Sequence, residues 1–201
     1  MASKEMVVFC FDTLHHHFFE TEEPKAGFDT STSFPLFVTW EIESDTDSAL
    51  ELRGCIGTLV EIKLENLQAF ALKSALKDQR FEPIQPKELS KLHCTVSLLI
   101  NFEAAENYKD WQVGVHGIII DFDVDDTRYH ATYLPDVAHE RGWNHTETIC
   151  SLMRKAGFNG QVSKNKLENM KVTRYCSSKE HLSYEEYLAC SSNPVSSNRG
   201  D

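Results

Sequence analysis

The sequence predicts an α+β fold, built from a mixed, largely antiparallel sheet that is flanked by helices. Segments with strand-like and helix-like patterns interleave along the chain, and several strands follow one another as hairpins rather than behind crossover helices. The chain has 201 residues, of which 41% are hydrophobic and 25% are charged, a composition that is ordinary for a globular protein. Its size fits one domain, or one domain with two lobes that share a core.

The first half of the chain predicts a helix, a hairpin and a second helix. Residues 4–20 space their apolar side chains three or four positions apart, which is typical of a helix with one buried face. Two β-rich segments, 34–42 and 52–60, lie on either side of an acidic connection and predict a hairpin. Asn66 is placed to cap a helix that runs to about residue 77, where a polar turn and two prolines end it.

The second half predicts short strands and short helices. The apolar run 94–102 is typical of a strand that is buried on both faces. Segments 117–122 and 128–134 predict a second hairpin, and Thr146 is placed to cap a helix that ends at Lys155. Three shorter elements complete the prediction: a helix at 135–141, a strand at 170–175 and a helix at 184–188. We expect residues 1–190 to form a single domain and the small, polar residues 191–201 to be a disordered tail.

Charge and cysteine content limit the classes of function. Lys and Arg number 20 against 31 Asp and Glu, so the net charge is −11 and non-specific binding to nucleic acid is not expected. The six cysteines are scattered without a Cys-x-x-Cys pair, which favours reduced thiols in the nucleus or cytoplasm. No secretory signal and no membrane span are expected. The sequence indicates no metal site and names no cofactor.

The stretch Leu52–Thr58, Leu-Arg-Gly-Cys-Ile-Gly-Thr, is the candidate functional segment. Two glycines within four positions are unusual in a strand, because they weaken strand pairing and leave no side chain to pack. They indicate a bulge, or a place where another group comes close to the backbone. The stretch also brings an arginine, a thiol and a hydroxyl together, so we predict a pocket around it.

One hypothesis makes Cys55 the nucleophile of an enzyme. A nearby Arg53 would lower the pKa of the thiol and favour the reactive thiolate, and His93 or His116 would be the base, brought in by neighbouring strands. The alternative is a structural cysteine, since free cysteine is among the residue types that are most often buried and inert.

The glycines and the threonine would complete such a site. Backbone N–H groups at Gly54 and Gly57 would bind an oxyanion or a phosphate, and the Thr58 hydroxyl would donate to the same ligand. A second hypothesis is a binding module without chemistry, in which Arg53 pairs with a carboxylate or phosphate of a small molecule or protein partner. Lys77 and Arg80 would line the same groove, or would simply be solvated cations at a helix end.

An ordered set of short motifs resembles the AMMECR family, which is named for the Alport syndrome, midface hypoplasia and elliptocytosis chromosomal region. The resemblance covers about residues 5–190 and includes Leu52–Thr58. The other matching stretches are Phe37-Val38-Thr39-Trp40, Ser74-Ala75-Leu76-Lys77-Asp78, Arg80-Phe81, Val96-Ser97-Leu98-Leu99, Gly114-Val115-His116-Gly117-Ile118, Ala131-Thr132-Tyr133-Leu134-Pro135, Gly142-Trp143, Arg154-Lys155 and Thr173-Arg174-Tyr175.

The chain resembles a eukaryotic member of the family. The resemblance implies an α+β fold with a larger and a smaller lobe, and a nuclear location, as is expected of the animal members. It implies no established activity. Prokaryotic relatives adjoin Memo-like and radical-SAM proteins, which suggests a small-molecule or modification pathway by association. Cys150 stands where the family usually has an acidic residue, and the acidic connection at 43–51 is longer than is typical.

Overall fold

A sheet of six strands forms the centre of the fold, as seen in a computed structural model that describes residues 1–44 and 49–191. The strands are β1 (Ser33–Glu43), β2 (Leu50–Lys63), β3 (Leu92–Ala104), β4 (Gly117–Val124), β5 (Thr127–Tyr133) and β6 (Lys171–Ser183). Their order across the sheet is β2-β1-β3-β6-β4-β5. β1 pairs antiparallel with β2 and β3, and β4 pairs antiparallel with β5 and β6. The α+β prediction is confirmed.

The helices are α1 (Lys4–Phe19), α2 (Leu67–Leu76), α3 (Pro135–Glu140), α4 (His145–Lys155), α5 (Lys164–Glu168) and α6 (Tyr184–Ser191). Short 3-10 helices span Leu64–Asn66 and Pro86–Lys91. Within the described ranges, no helix is both long enough and apolar enough to cross a membrane.

The last strand and α5 differ most from the prediction, and α4 is capped by Asn144 rather than by Thr146. The last strand runs over Lys171–Ser183 rather than 170–175, because its second half is polar and lacks the apolar pattern by which strands are recognised in sequence. The five-residue helix α5 is not predicted, since it contains one buried apolar residue, Leu167. The expected disordered tail beyond residue 191, and residues 45–48 of the acidic connection, lie outside the described residues.

The chain divides into two compact units, of which the first comprises residues 1–98 and the residues from 178 onward. Its core lies between the β1–β2–β3 strands and the helices α1, α2 and α6. Trp40 of β1 is fully buried and donates its indole N–H to the carbonyl oxygen of Ala71 at 3.1 Å. The Phe11 ring meets the Trp40 ring edge-on, with 5.1 Å between the ring centres. This packing fixes α1 and α2 on one face of β1.

The second unit comprises residues 99–177. The buried side chains of α4, among them Ile149, Leu152 and Met153, form its core together with Ile118 and Ile120 of β4. Helix α4 begins with a capping box, in which the Asn144 side chain accepts from the Glu147 N–H and the Glu147 side chain accepts from the Asn144 N–H. Reciprocal capping of this kind satisfies two otherwise unpaired groups at the first turn.

The predicted bulge is present in β2, which is a strand at the edge of the sheet. Trp40 lies opposite Gly54 and Glu41 lies opposite Leu52, so Arg53 is the extra residue without a partner on β1. An extra residue of this kind bends a strand and turns side chains away from their alternating positions. The bulge therefore decides where the Arg53 side chain points.

Candidate functional site

Gly54 is buried where α2 crosses β2. A Cβ atom at this position would overlap the carbonyl oxygen of Ser74 and lie 3.1 Å from its carbonyl carbon. The group that comes close to the backbone is thus the backbone of α2 itself. Helix α2 therefore occupies the space that the missing side chain of Gly54 leaves.

Gly57 has a similar explanation on the other face of the strand. It lies opposite Phe37 of β1, and a Cβ atom here would overlap the Phe37 ring and the carbonyl oxygen of Leu36. The aromatic ring occupies the space that the missing side chain leaves. Because Ser74 fills the space beside Gly54 and Phe37 fills the space beside Gly57, the two glycines do not form an open binding site for an oxyanion.

The Cys55 thiol is half-buried beside Thr39, which lies opposite it on β1. The Thr39 hydroxyl donates to the sulfur at 3.2 Å. Burial raises the pKa of Cys55, and this effect outweighs the Thr39 hydrogen bond and the positive charge of Arg80; Asp78 and Glu41 raise it further. The cation that acts on the thiol is thus Arg80 rather than the expected Arg53, and the net shift opposes formation of a thiolate.

Asp78 and Arg80 hydrogen-bond to the backbone of Cys55 at the edge of the sheet. The Cys55 N–H donates to Asp78 Oδ2 at 2.9 Å, and Arg80 Nη2 donates to the Cys55 carbonyl oxygen at 3.3 Å. The Arg80 guanidinium also donates to both oxygens of the Asp78 carboxylate, at 3.0 and 2.7 Å. These hydrogen bonds hold the pKa of Asp78 well below its usual range. The Asp78–Arg80 ion pair therefore makes the hydrogen bonds to the Cys55 backbone that a neighbouring strand would otherwise make.

Arg53 turns toward the segment after α2, away from Cys55. Its Nε and Nη2 atoms donate to the two carboxylate oxygens of Glu88, at 2.8 and 3.2 Å, and its Nη1 donates to the Glu82 carbonyl oxygen at 2.6 Å. Burial of Glu88 is outweighed by hydrogen bonds from Arg53 and the Gln85 N–H, so its pKa is lowered. The Arg53 guanidinium and the Cys55 sulfur were expected to line one pocket. They do not, because the bulge separates the two side chains.

A cleft does adjoin the predicted stretch, on the Arg53 side. Its volume is about 440 Å³, and it is lined by Ile42, Arg53, Glu82, Pro83, Gln85, Lys87, Glu88 and Lys91. Lys77 and Arg80 do not line this cleft. Lys77 is exposed at the end of α2, the Thr58 hydroxyl accepts the Val60 N–H at 3.0 Å, and neither residue is part of the cleft lining.

The two predicted bases are held in other hydrogen bonds. His93 hydrogen-bonds to Glu43 Oε1 and to His181 Nε2, each at 3.1 Å. Since Cys55 lies opposite Thr39 and His93 lies opposite Glu41 on the far side of β1, about 12 Å separates their Cα atoms, given ordinary strand spacing. His93 is thus out of reach of the thiol. His116 belongs to the second unit, where its Nδ1 accepts the Gln112 N–H at 3.0 Å.

Three residues that the sequence reasoning did not select hold this region together: Thr39, Asp78 and Glu88. The sequence signal for Asp78 was its position in the polar turn that ends α2. Thr39 and Glu88 gave no comparable signal, because the contacts that matter are set by the strand register and by the path of residues 82–88. In the described part of the chain, no three His, Cys, Asp or Glu side chains are grouped to hold a metal ion.

Comparison with known proteins identifies the family. The AMMECR1 family profile matches residues 7–180, which is most of the chain. The chain belongs to the AMMECR1 family. An uncharacterized protein of Arabidopsis thaliana is 47% identical over 191 residues, covering 94% of this chain and 88% of that protein. An uncharacterized protein of Schizosaccharomyces pombe is 38% identical over 193 residues, covering 94% and 96% of the two chains.

A solved structure has the same fold. The crystal structure of an uncharacterized protein from Pyrococcus horikoshii superposes with a TM-score of 0.70, covering 90% of this chain and 91% of that one. The identity is 24%, so this likeness speaks for the fold alone.

Proposed function

We propose that this AMMECR1-family chain is a partner-binding protein and that β2 with the adjoining Arg53 cleft is its binding surface. The observation that carries the proposal is the exposure of two leucines on an edge strand. Leu50 is 42% and Leu52 is 41% exposed, two positions apart on β2. Native proteins usually protect edge strands, because an exposed apolar edge is a template for pairing with another chain.

The lining of the Arg53 cleft supports a protein or peptide partner over a small apolar ligand. Five of its eight residues are charged: Arg53, Glu82, Lys87, Glu88 and Lys91. Pockets for small molecules are instead lined mainly by apolar and aromatic side chains. An apolar centre at the two leucines with a charged rim beside it is the usual arrangement of a protein interface. The partner would therefore present an apolar side chain flanked by charged groups.

We expect the double variant Leu50→Glu/Leu52→Glu to lose its partner. Removal of central apolar contacts commonly costs an interface about 2 kcal/mol or more, or roughly a thirtyfold loss of affinity. The wild-type chain would be used to isolate a stoichiometric partner from nuclear and cytosolic extracts, and the affinity would then be measured with purified proteins. Protection of β2 amides from hydrogen exchange in the complex would locate the contact.

The control for this experiment is Val115→Glu, which adds one negative charge where the double variant adds two, at an apolar side chain that is 45% exposed in the second unit. It should bind the partner as the wild type does. Equal binding by the double variant and the control would contradict the proposal. Recovery of the partner from one extract would also test the proposed nuclear or cytoplasmic location, which the widely scattered free cysteines support.

Catalysis by Cys55 is the second candidate function. Two effects favour it, since the Thr39 hydroxyl donates to the sulfur and the Arg80 charge stabilises a thiolate. Burial and the carboxylates of Asp78 and Glu41 act in the opposite direction and prevail. No base lies within reach on β3, so we place binding ahead of catalysis.

A further inference from the structure

The second unit contains a small pocket that the proposed function does not use. Its volume is about 360 Å³, which is within the usual range for small-molecule sites. Trp143 precedes α4 at one end of the pocket, and one face of α4 forms the remainder. The lining residues are Trp143, Thr146, Glu147, Cys150, Ser151 and Arg154.

An aromatic wall borders this pocket. Trp143 is partly exposed, whereas the other two tryptophans, Trp40 and Trp111, are buried. The Tyr133 ring lies 5.9 Å from the Trp143 ring, measured between ring centres, and the Tyr133 hydroxyl is 3.0 Å from Ser151 Oγ. A tyrosine anchored to α4 thus supports the tryptophan from the side.

Positive charge is concentrated around the same rings. The Arg141 guanidinium carbon lies 5.8 Å from the centre of the Trp143 ring. Arg154 is exposed where it lines the pocket, and within residues 1–44 and 49–191 its guanidinium makes no hydrogen bond or ion pair. Lys155 Nζ lies 4.6 Å from the Tyr133 ring centre and donates to the Thr132 carbonyl oxygen at 2.8 Å.

The one carboxylate in the lining is already in use. Glu147 accepts the Asn144 N–H at 2.9 Å in the capping box of α4, and this hydrogen bond holds its side chain at the helix end. Arg141 lies against the Trp143 ring, Lys155 lies against the Tyr133 ring and Arg154 lines the pocket, so three cations accompany the single carboxylate of the lining.

We propose that this pocket binds a phosphate monoester carried on a planar ring, as in a nucleoside monophosphate. The free guanidinium of Arg154 has the planar, multidentate geometry that matches phosphate oxygens, and the hydroxyls of Thr146 and Ser151 are additional donors. The exposed part of the Trp143 ring is a stacking surface for the flat portion of the ligand, and stacking of a base on an aromatic side chain contributes to nucleotide binding. The strongly negative whole-chain charge favours a small ligand over a nucleic-acid strand.

The test uses adenosine 5′-monophosphate as the probe and the full chain as the protein. Calorimetry at low ionic strength should show sub-millimolar binding, and the Trp143 indole N–H resonance should shift during titration. Arg154→Gln should weaken binding about tenfold or more, because hydrogen bonds to a charged group are among the stronger ones. Arg128→Gln is the matched control, an exposed arginine of the same unit that pairs with Asp121 away from this pocket.

Two further probes separate the parts of the ligand. Adenosine and inorganic phosphate should each bind at least tenfold more weakly than the monophosphate. Absence of binding by the wild type, or equal affinities for Arg154→Gln and Arg128→Gln, would overturn the proposal. Phosphate that binds as tightly as the monophosphate would overturn the stacking role of Trp143. Unchanged thermal unfolding of the variants would establish that each result reflects binding.

Discussion

Replacing Gly54 by alanine is expected to lower the free energy of unfolding by about 3 kcal/mol or more, because overpacking against an immobile neighbour is among the most destabilising changes in a core. The new methyl group would overlap the carbonyl oxygen of Ser74. That oxygen belongs to the backbone of α2, so no side chain can rotate aside to make room. Either α2 must shift away from β2 or the strand must bend, and both movements disrupt the buried contacts of Trp40 with α2.

Urea unfolding followed by circular dichroism would measure the effect. Gly27→Ala is the matched control, because its added methyl group would lie 3.5 Å from Glu5 Cγ, an ordinary van der Waals contact. We expect the control to change stability by about 0.5 kcal/mol or less. If both variants unfold at the same urea concentration, close packing of α2 is not the reason for glycine at position 54.

Replacing Asp78 by alanine is expected to destabilise the protein by about 2 kcal/mol at neutral pH, since it removes the acceptor of a partly buried N–H and of a charged donor. The Cys55 N–H would lose its partner, and Arg80 would lose the carboxylate that holds it over the Cys55 carbonyl oxygen. The Asp78 side chain is only 6% exposed, so water would replace these bonds incompletely. The backbone groups of Cys55 at the edge of β2 would then be left without these hydrogen bonds.

The same variant should alter the dependence of stability on pH. The folded-state pKa of Asp78 is lowered, chiefly by hydrogen bonds from Arg80. The stabilisation is therefore complete above the unfolded-state pKa, which is about 4, and is lost as the pH falls below it toward the folded-state value. The stability difference between wild type and Asp78→Ala should thus shrink in acid. A difference that stays constant from neutral to strongly acidic pH would contradict this account, and Asp123→Ala, at an exposed position, should show no such difference.

The secondary structure near the site could be predicted because it depends on local pattern. Apolar spacing in residues 34–42 and 52–60 was sufficient to predict the β1–β2 hairpin, and two glycines were sufficient to predict a bulge or a close approach. What fills each glycine position could not be predicted, since Ser74 and Phe37 are brought there by helix crossing and by strand register. The spacing of the two residues in the sequence also predicted that the Arg53 and Cys55 side chains lie together. The one unpaired residue in β2, Arg53 itself, was enough to separate them.

The histidine predictions show a second limit of sequence reasoning. The sequence predicts His93 or His116 as the base because each is a histidine next to a strand expected near the hairpin. Antiparallel pairing of β1 with β3 places His93 opposite Glu41 rather than near Cys55, and its ring is held by Glu43 and His181. Distances across a sheet depend on strand order, which the one-dimensional pattern does not contain. The polar second half of β6, which supplies His181, escaped prediction for a related reason.

We propose that the glycine-containing strand of this AMMECR1-family protein serves packing and binding, and that its cysteine is not an activated nucleophile. The most direct measurement is the rate at which iodoacetamide alkylates Cys55, followed by peptide mass spectrometry in the folded chain and in urea. Because burial raises the pKa of this thiol, we predict slower alkylation in the folded chain at neutral pH, with acceleration only in alkaline solution. Alkylation of folded Cys55 that is faster at neutral pH than in urea would contradict the account.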